Sequence, residues 1–125
     1  MVVSRSRSDH ATTVARLTGA IEQRGLTVFA RFDHAAAARV AGLELGEELV
    51  VAFGNPQAGT PLMQSDPRVG IELPLRILVW ESADGVQLGY NDPRELAAGY
   101  DLAGRHEILE RMAGLLEQLV AEAAG

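Results

Sequence analysis

One loop of this sequence combines the residue types that a binding site needs. Residues 53–63 read Phe-Gly-Asn-Pro-Gln-Ala-Gly-Thr-Pro-Leu-Met and directly follow an apolar segment that predicts a strand. Glycine and proline fix the backbone of such a loop. The amide of Asn55 and the hydroxyl of Thr60 supply hydrogen-bonding groups, and Met63 supplies apolar surface. The pattern therefore indicates a ligand site at the end of a strand, without specifying the ligand.

The same loop also has an anion-binding and a structural interpretation. Thr60 followed by Pro61 is typical of a helix N-cap with proline at the first helical position, and free N–H groups at such a start attract anions. Arg68 or Arg76 would add positive charge. The loop lacks the Gly-Lys-Ser/Thr ending of a P-loop and the dinucleotide-binding fingerprint. Alternatively, the glycines and prolines only shape a crossing loop, and the two apolar residues after Pro61 fill the core or a dimer interface.

Asp33 and His34 place a carboxylate beside an imidazole, which is the pair of groups used in general acid–base catalysis. Neighbouring residues point in different directions, so the two side chains need not reach one substrate atom. The structural interpretation is a helix N-cap followed by a histidine that binds the backbone or a core neighbour. His10 and His106 are isolated in the sequence, and we expect both to be exposed and without a role.

Metal and nucleophile chemistry find little support in the sequence. The three histidines have no His-x-x-His or His-x-x-x-His spacing, so we expect no metal and no cofactor; a site built from Asp33, His34 and Asp92 would depend on the fold. Cysteine is absent and all 11 basic residues are arginine, which excludes thiolate and Schiff-base chemistry. None of the serines lies in a Gly-x-Ser-x-Gly elbow.

Length and charge narrow the classes of protein and partner. A chain of 125 residues predicts one domain, residues 1–125, and we expect residues 1–8 and 122–125 to fray. The net charge of −6 disfavours nucleic acid as a partner. No apolar run approaches the roughly 18 residues of a membrane span, and residues 1–7 lack the apolar segment of a secretory signal. We therefore expect a cytoplasmic protein with no membrane partner.

Turn, capping and periodicity signals divide the chain into alternating strands and helices. They predict strands at 2–7, 26–32, 48–53, 75–80 and 86–90, and helices after Asp9 or Thr12, at 34–41, at Thr60, after Asp92 and at 105–123. In the last helix, Gly114 suggests a close approach by a strand or a second subunit. The fold class is α+β: a mixed, largely antiparallel sheet with two long helices packed on one face, in the order β-α-β-(α)-β-(α)-β-β-(α)-α.

The apolar stripe of the last helix is the clearest periodic signal. Its members recur at helical spacing, and the charged residues of the segment are predicted to face away from it. The stripe comprises Ile108, Leu109, Met112, Leu115, Leu116, Leu119 and Val120, and the opposite face comprises Glu107, Glu110, Arg111, Glu117 and Glu122. A stripe this wide favours a helix that lies flat on a sheet.

Several of these segments resemble a known family. They are Phe32-Asp-His-Ala-Ala36 with Ala38, Phe53-Gly-Asn-Pro56, Gly59-Thr-Pro-Leu-Met63, Leu73-Pro-Leu75 and Tyr90-Asn-Asp92. Their order and spacing are similar to those of the bacterial and archaeal family called domain of unknown function 302, over roughly residues 13–119. The resemblance implies a bacterial, compact α+β domain that forms a homodimer. It implies no established activity, and it carries over no catalytic residue.

Three hypotheses about function follow. The first is a domain that binds a small molecule or an anion, with a site formed by Asp33, His34, Asn55, Thr60, Met63 and Asn91. The second is a structural or partner-binding dimeric module without a ligand, with Leu62, Met63, Leu73, Pro74 and Leu75 at the interface. The third is an acid–base enzyme that uses His34 and Asp33.

Overall fold

A computed structural model describes all residues from 1 to 125. The strands are β1 (Val2–Arg5), β2 (Thr27–Asp33), β3 (Glu48–Gly54), β4 (Leu75–Ser82) and β5 (Gly85–Tyr90). The helices are α1 (His10–Gln23), α2 (His34–Val40), α3 (Pro56–Ser65), α4 (Leu96–Gly99) and α5 (His106–Ala124), with short 3-10 helices at Pro67–Glu72 and Pro93–Glu95. The predicted element order is therefore observed.

The five strands form one sheet in the order β1-β5-β4-β3-β2. Every neighbouring pair is antiparallel, so the parallel pairs implied by a mixed sheet are absent. The strands β1 and β2 run in the same direction but occupy opposite edges, with the other three strands between them. The predicted edge position of the first strand is confirmed, and so is the α+β class.

The two long helices, α1 and α5, pack on one face of the sheet and enclose the main core. Leu17 and Ile21 of α1 and Leu116 and Leu119 of α5 are buried against Phe53 and its neighbours on the central strands. Burial of each such side chain contributes about 1.5–3 kcal/mol relative to leaving it exposed. The core therefore fixes both helices to the sheet. None of the helices combines the length and the apolar character that crossing a membrane requires.

Most of the predicted helix caps and turn glycines are observed. Asp9 caps α1 by accepting a hydrogen bond from the N–H of Thr12 at 2.8 Å. Gly25 follows α1 with a φ of 72°, a left-handed conformation that glycine adopts without a steric penalty. Gly85 takes a φ of 113° in the hairpin between β4 and β5.

The structure contradicts two expectations about single residues, the first wholly and the second in part. His10 is buried, not exposed, and its Nε2 lies 3.0 Å from the carbonyl oxygen of Val79, so the ring joins α1 to the central strand. Gly114 does not mark a close approach by a strand of its own chain, because no atom lies within 4 Å of the position that a Cβ there would take. A close approach by a second subunit stays a prediction. The sequence near each residue does not show which distant parts of the chain pack against it.

Candidate functional site

Asn55, and not Thr60, is the N-cap of helix α3. The Oδ1 atom of Asn55 accepts the N–H of Gln57 at 2.9 Å, and Pro56 occupies the first turn. The prediction that the helix begins at Thr60 is therefore wrong, and Pro61 lies inside the helix. Both Asn-Pro and Thr-Pro suit a helix start, and the one nearer the N-terminus is used.

This earlier start removes the predicted anion site. Pro56 has no N–H, the N–H of Gln57 is bound to Asn55 Oδ1, and the N–H groups of Ala58 and Gly59 donate to the Asn55 carbonyl at 3.0 and 3.2 Å. No free N–H group of this first turn remains to bind an anion. Positive charge at the site has to come from a side chain instead.

The loop and helix α3 form one wall of a cavity with a volume of about 790 Å³. One face of α5 forms another wall, and residues of β2, of the start of β4 and of the segment before β4 supply the rest of the lining. Its apolar lining comprises Leu26, Phe29, Ala58, Met63, Leu73, Leu75, Ile108, Met112 and Leu115, together with Pro56, Pro61 and Pro74. Its polar side chains are those of Asn55, Gln57, Thr60 and Arg111.

Local backbone features give the cavity its shape. The register of β2 against β3 shifts between Val28 and Ala30, a bulge that re-aims Phe29 so that it lines the cavity. A Cβ at Gly54 would lie 3.6 Å from a ring carbon of Phe29, which is ordinary contact distance, so the ring sits directly over this glycine. A Cβ at Gly59 would lie 3.5 Å from Leu73, on the opposite side of the loop.

Helix α5 contributes Ile108, Arg111, Met112 and Leu115, at spacings of three, one and three residues that place them on one helical face. Arg111 is exposed, as predicted for the polar side of the helix, and it also lines the cavity at the border of the stripe. Its spacing from Ile108 and Leu115 places it beside the stripe, but this spacing alone does not distinguish solvent from a cavity. The guanidinium has no carboxylate within 4.0 Å, as is true of seven of the 11 arginines; only Arg24, Arg39, Arg68 and Arg94 are in ion pairs.

The predicted site residues do not form one site. Asn55, Thr60 and Met63 line the cavity together. Asp33 borders a different groove, beside His10 and α1, and the exposed Asn91 borders a third. Asp33 is also occupied as the N-cap of α2, where its Oδ1 accepts the N–H of Ala36 at 2.9 Å. This part of the structural interpretation of Asp33 is observed.

His34 is exposed, and its ring makes no hydrogen bond to Asp33 or to any other group. The two residues therefore do not act on one another as an acid–base pair in this structure. No group of three or more histidine, cysteine, aspartate and glutamate side chains is placed to hold a metal ion. The chemistry that the cavity itself offers is apolar contact, neutral hydrogen bonding and one positive charge.

Asp66 joins the wall of the cavity to the rest of the chain. Its carboxylate is nearly inaccessible and accepts the N–H of Asp101 at 3.0 Å and two bonds from the Arg68 guanidinium, at 2.7 and 3.1 Å. Arg68 lies over the ring of Tyr100, 5.9 Å from its centroid. The hydrogen bonds from Arg68 and then from the Asp101 N–H hold the pKa of Asp66 far below its usual value. The charged form of Asp66 therefore stabilises the fold.

We expect Asp66→Asn to lower the urea midpoint of unfolding at neutral pH, because asparagine keeps the cap but loses the charge. The folded pKa is lower than the unfolded one, so the charge stabilises the fold above about pH 4 and this contribution is lost as the pH falls through the folded value. The gap in midpoint between wild type and variant should therefore narrow below about pH 4.

The control is Asp84→Asn, since Asp84 is exposed in the hairpin and its carboxylate accepts no hydrogen bond. This variant should follow the wild type at each pH in urea unfolding monitored by circular dichroism. A gap for Asp66→Asn that stays constant from about pH 7 to about pH 3 would contradict the stabilising role of the charge.

Comparison with known proteins finds a family model that matches most of this chain. The model of the family "Domain of unknown function DUF302" matches residues 2–121. The "Fluoride-specific ion channel FluC 1" of Brucella suis biovar 1 (strain 1330) is 43% identical over 103 residues, which are 82% of this chain and 41% of that protein. For "Fluoride-specific ion channel FluC 2" of Brucella melitensis biotype 1 (strain ATCC 23456 / CCUG 17765 / NCTC 10094 / 16M), the identity is also 43% over 103 residues, and the share of that protein is 38%.

The chain thus spans about two fifths of the length of these relatives. A crystal structure of an uncharacterized conserved DUF302 protein from Bacillus stearothermophilus has the same fold, with a TM-score of 0.87. The alignment covers 98% of this chain and 96% of the other at 19% identity, so it supports the fold alone. From the match over residues 2–121, this chain belongs to the DUF302 family of domains of unknown function.

Proposed function

We propose that this chain is a small-ligand-binding domain and that its ligand occupies the cavity between α3 and α5. The observation that supports this proposal is the cavity itself, because its volume of about 790 Å³ lies within the range of roughly 300–1,000 Å³ in which proteins bind small molecules. Its lining is mostly apolar with a few polar side chains, which is the usual composition of such sites.

Two kinds of side chain line the cavity, apolar ones and polar ones. Phe29, Met63 and Leu115 supply apolar surface, and each 100 Å² of ligand surface removed from water contributes about 2.5 kcal/mol. The Thr60 hydroxyl and the Gln57 amide are placed to orient a polar group of the ligand. The Asn55 Oδ1 is already used as the cap of α3, so this residue holds the wall in place. The proposed role is binding without a catalytic step.

The test is a thermal-shift screen of the full chain with apolar, amphipathic and polar metabolites. A compound at about 100 times its dissociation constant should stabilise the fold by roughly 2.7 kcal/mol, which raises the melting temperature measurably. Gly59→Leu should reduce this shift, because the new side chain projects toward Leu73 and into the cavity. Gly114→Leu is the control, since Gly114 faces open space and does not line the cavity. No shift with any class of compound would end the proposal.

A self-associating module is the second candidate function, but at a different surface from the one predicted. Leu62 is fully buried in its own chain, so it cannot form an interface. The face of the sheet opposite α1 and α5 carries a row of positions that pair in register across all five strands: Phe32, Val50, Leu78, Gly89 and Val3. Phe32 is 52% exposed and Val3 is 50% exposed. Exposed apolar side chains in a row support a contact with another protein surface.

The flanks of this row favour a second copy of the chain as the partner. Trp80 and Glu48 lie on one side of the row and Arg76 lies on the other. A twofold axis along the row would therefore set Arg76 of each copy against the aromatic and acidic pair of the other. Light scattering should then give the mass of a dimer for the wild type and of a monomer for Phe32→Arg. A monomeric wild type at high concentration would exclude this candidate.

A further inference from the structure

We infer that the ligand of the cavity between α3 and α5 is an amphipathic organic acid, with an apolar body in the cavity and a carboxylate bound to Arg111. This inference rests on the proposed function of the cavity and specifies the chemical class of what it binds. It is supported by the charge of the lining, by the surroundings of Arg111 and by the apolar character of the walls.

The charge of the lining is the first observation. The chain has 17 acidic residues and a net charge of −6, yet no aspartate or glutamate lines this cavity. Arg111 is its one ionisable lining residue. A cavity that excludes carboxylates and keeps a single guanidinium is complementary to a single negative charge. A cationic ligand would meet an uncompensated positive charge instead.

The surroundings of Arg111 are the second observation. Glu107 precedes it by one helical turn but forms no ion pair with it, and Glu110 is already paired with Arg94 at 3.5 Å and lies 3.9 Å from His106. The guanidinium is therefore free to bind a ligand carboxylate through two parallel hydrogen bonds, which is the geometry that arginine favours. Because Arg111 is exposed, it lies where a charged head group would stay in contact with water.

The apolar walls are the third observation. Ile108, Met112 and Leu115 lie on the same helical face as Arg111, so the apolar surface begins directly beside the charge. Across the cavity, Phe29 and Met63 continue this surface and leave more than a third of their own area exposed to the unoccupied space or to solvent. A small polar anion such as phosphate would leave this surface uncovered, and an apolar molecule without charge would leave Arg111 unpaired.

The experiment is calorimetric titration of the full chain with decanoate, decanol and decylamine below their aggregation concentrations. The three probes share one apolar chain and differ in charge. Decanoate should bind about tenfold or more tightly than decanol, as expected for a hydrogen-bonded contact to a charged group, and decylamine should bind most weakly. Added salt should weaken decanoate binding and leave decanol binding unchanged.

The variant Arg111→Gln should weaken decanoate to the affinity of decanol without affecting decanol itself. Arg16→Gln is the matched control, because Arg16 is exposed on α1, donates to Ser8 and lies outside the cavity. Equal affinities of decanoate and decanol for the wild type would overturn the organic-acid inference while leaving a ligand-binding cavity in place. Failure of all three probes to bind the correctly folded chain would overturn the inference, and the broader screen of metabolites would then decide the proposed function separately.

Discussion

Replacing Leu116 with alanine should lower the free energy of unfolding by about 2–5 kcal/mol. Leu116 is 1% exposed and packs in the core where α5 meets α1 and the central strands. The loss has two parts: the transfer free energy of the removed methyl groups and the cost of the cavity left behind. The long helices and the sheet surround this position, so they cannot collapse far into the space. Urea unfolding measured by circular dichroism gives the change directly.

The neighbouring Glu117 provides the matched control on the same helix. It is exposed and forms no ion pair, so Glu117→Ala should change the free energy of unfolding by less than about 0.5 kcal/mol. Equal and small effects at the two positions would mean that the stripe of α5 is not packed as the core. In that case the assignment of α5 to the face of the sheet would be wrong.

The stripe of α5 illustrates what the sequence could predict. Helical spacing from Ile108 to Val120 is a local signal, and the helix of the structure, His106–Ala124, differs from the predicted one by a single residue at each end. The caps at Asp9 and Asp33 and the turn at Gly85 are also local, because each is set by hydrogen bonds or φ angles within a few residues. Such signals are sufficient for the element order and for the α+β class.

The position of the site is not predictable in the same way, because it depends on which strands terminate at the same end of the sheet. The strands β2 and β3 are antiparallel, so Asp33 at the end of β2 pairs with Leu49, and Gly54 at the end of β3 pairs with Thr27. Strand geometry therefore separates Asp33 from Asn55 by about 20 Å. Asp33 and Asn55 would lie together only if successive strands terminated at the same end of the sheet, which holds for parallel strands only.

Sequence reasoning groups Asn91 with the site for a related reason, and it leaves Arg111 out because a helical pattern does not show which other elements pack beside a residue. The strands β5 and β3 terminate at the same end of the sheet, but β4 lies between them, so Asn91 borders another groove. Arg111 lies at the border of the apolar stripe, where the helical pattern alone cannot distinguish solvent from a cavity. Whether Arg111 borders a cavity depends on helix α3, which lies about 50 residues earlier in the chain and lines the same cavity.

Leu62→Ala should also lower the free energy of unfolding by about 2–5 kcal/mol, although Leu62 lies outside the main core. It is fully buried in a second apolar cluster, which holds α3 and the following 3-10 helix against α5 through Val69, Leu102, Leu109 and Met112. Met112 belongs both to this cluster and to the lining of the proposed site. Losing the central side chain of this cluster should therefore destabilise the chain and loosen the wall that α3 provides. Urea unfolding measures the first effect, and decanoate titration measures the second.

The adjacent Met63 separates the role of the scaffold from the role of the site. It is 38% exposed and lines the cavity, so Met63→Ala should cost about 1–2 kcal/mol of stability, less than Leu62→Ala, because part of its surface stays exposed after folding. It should nevertheless weaken decanoate binding severalfold, since the thioether supplies part of the apolar wall. Normal binding by Met63→Ala would place the ligand elsewhere. A stability loss as large as that of Leu62→Ala would instead mean that α3 packs on α5 with the other face, so that the cavity between them has different walls.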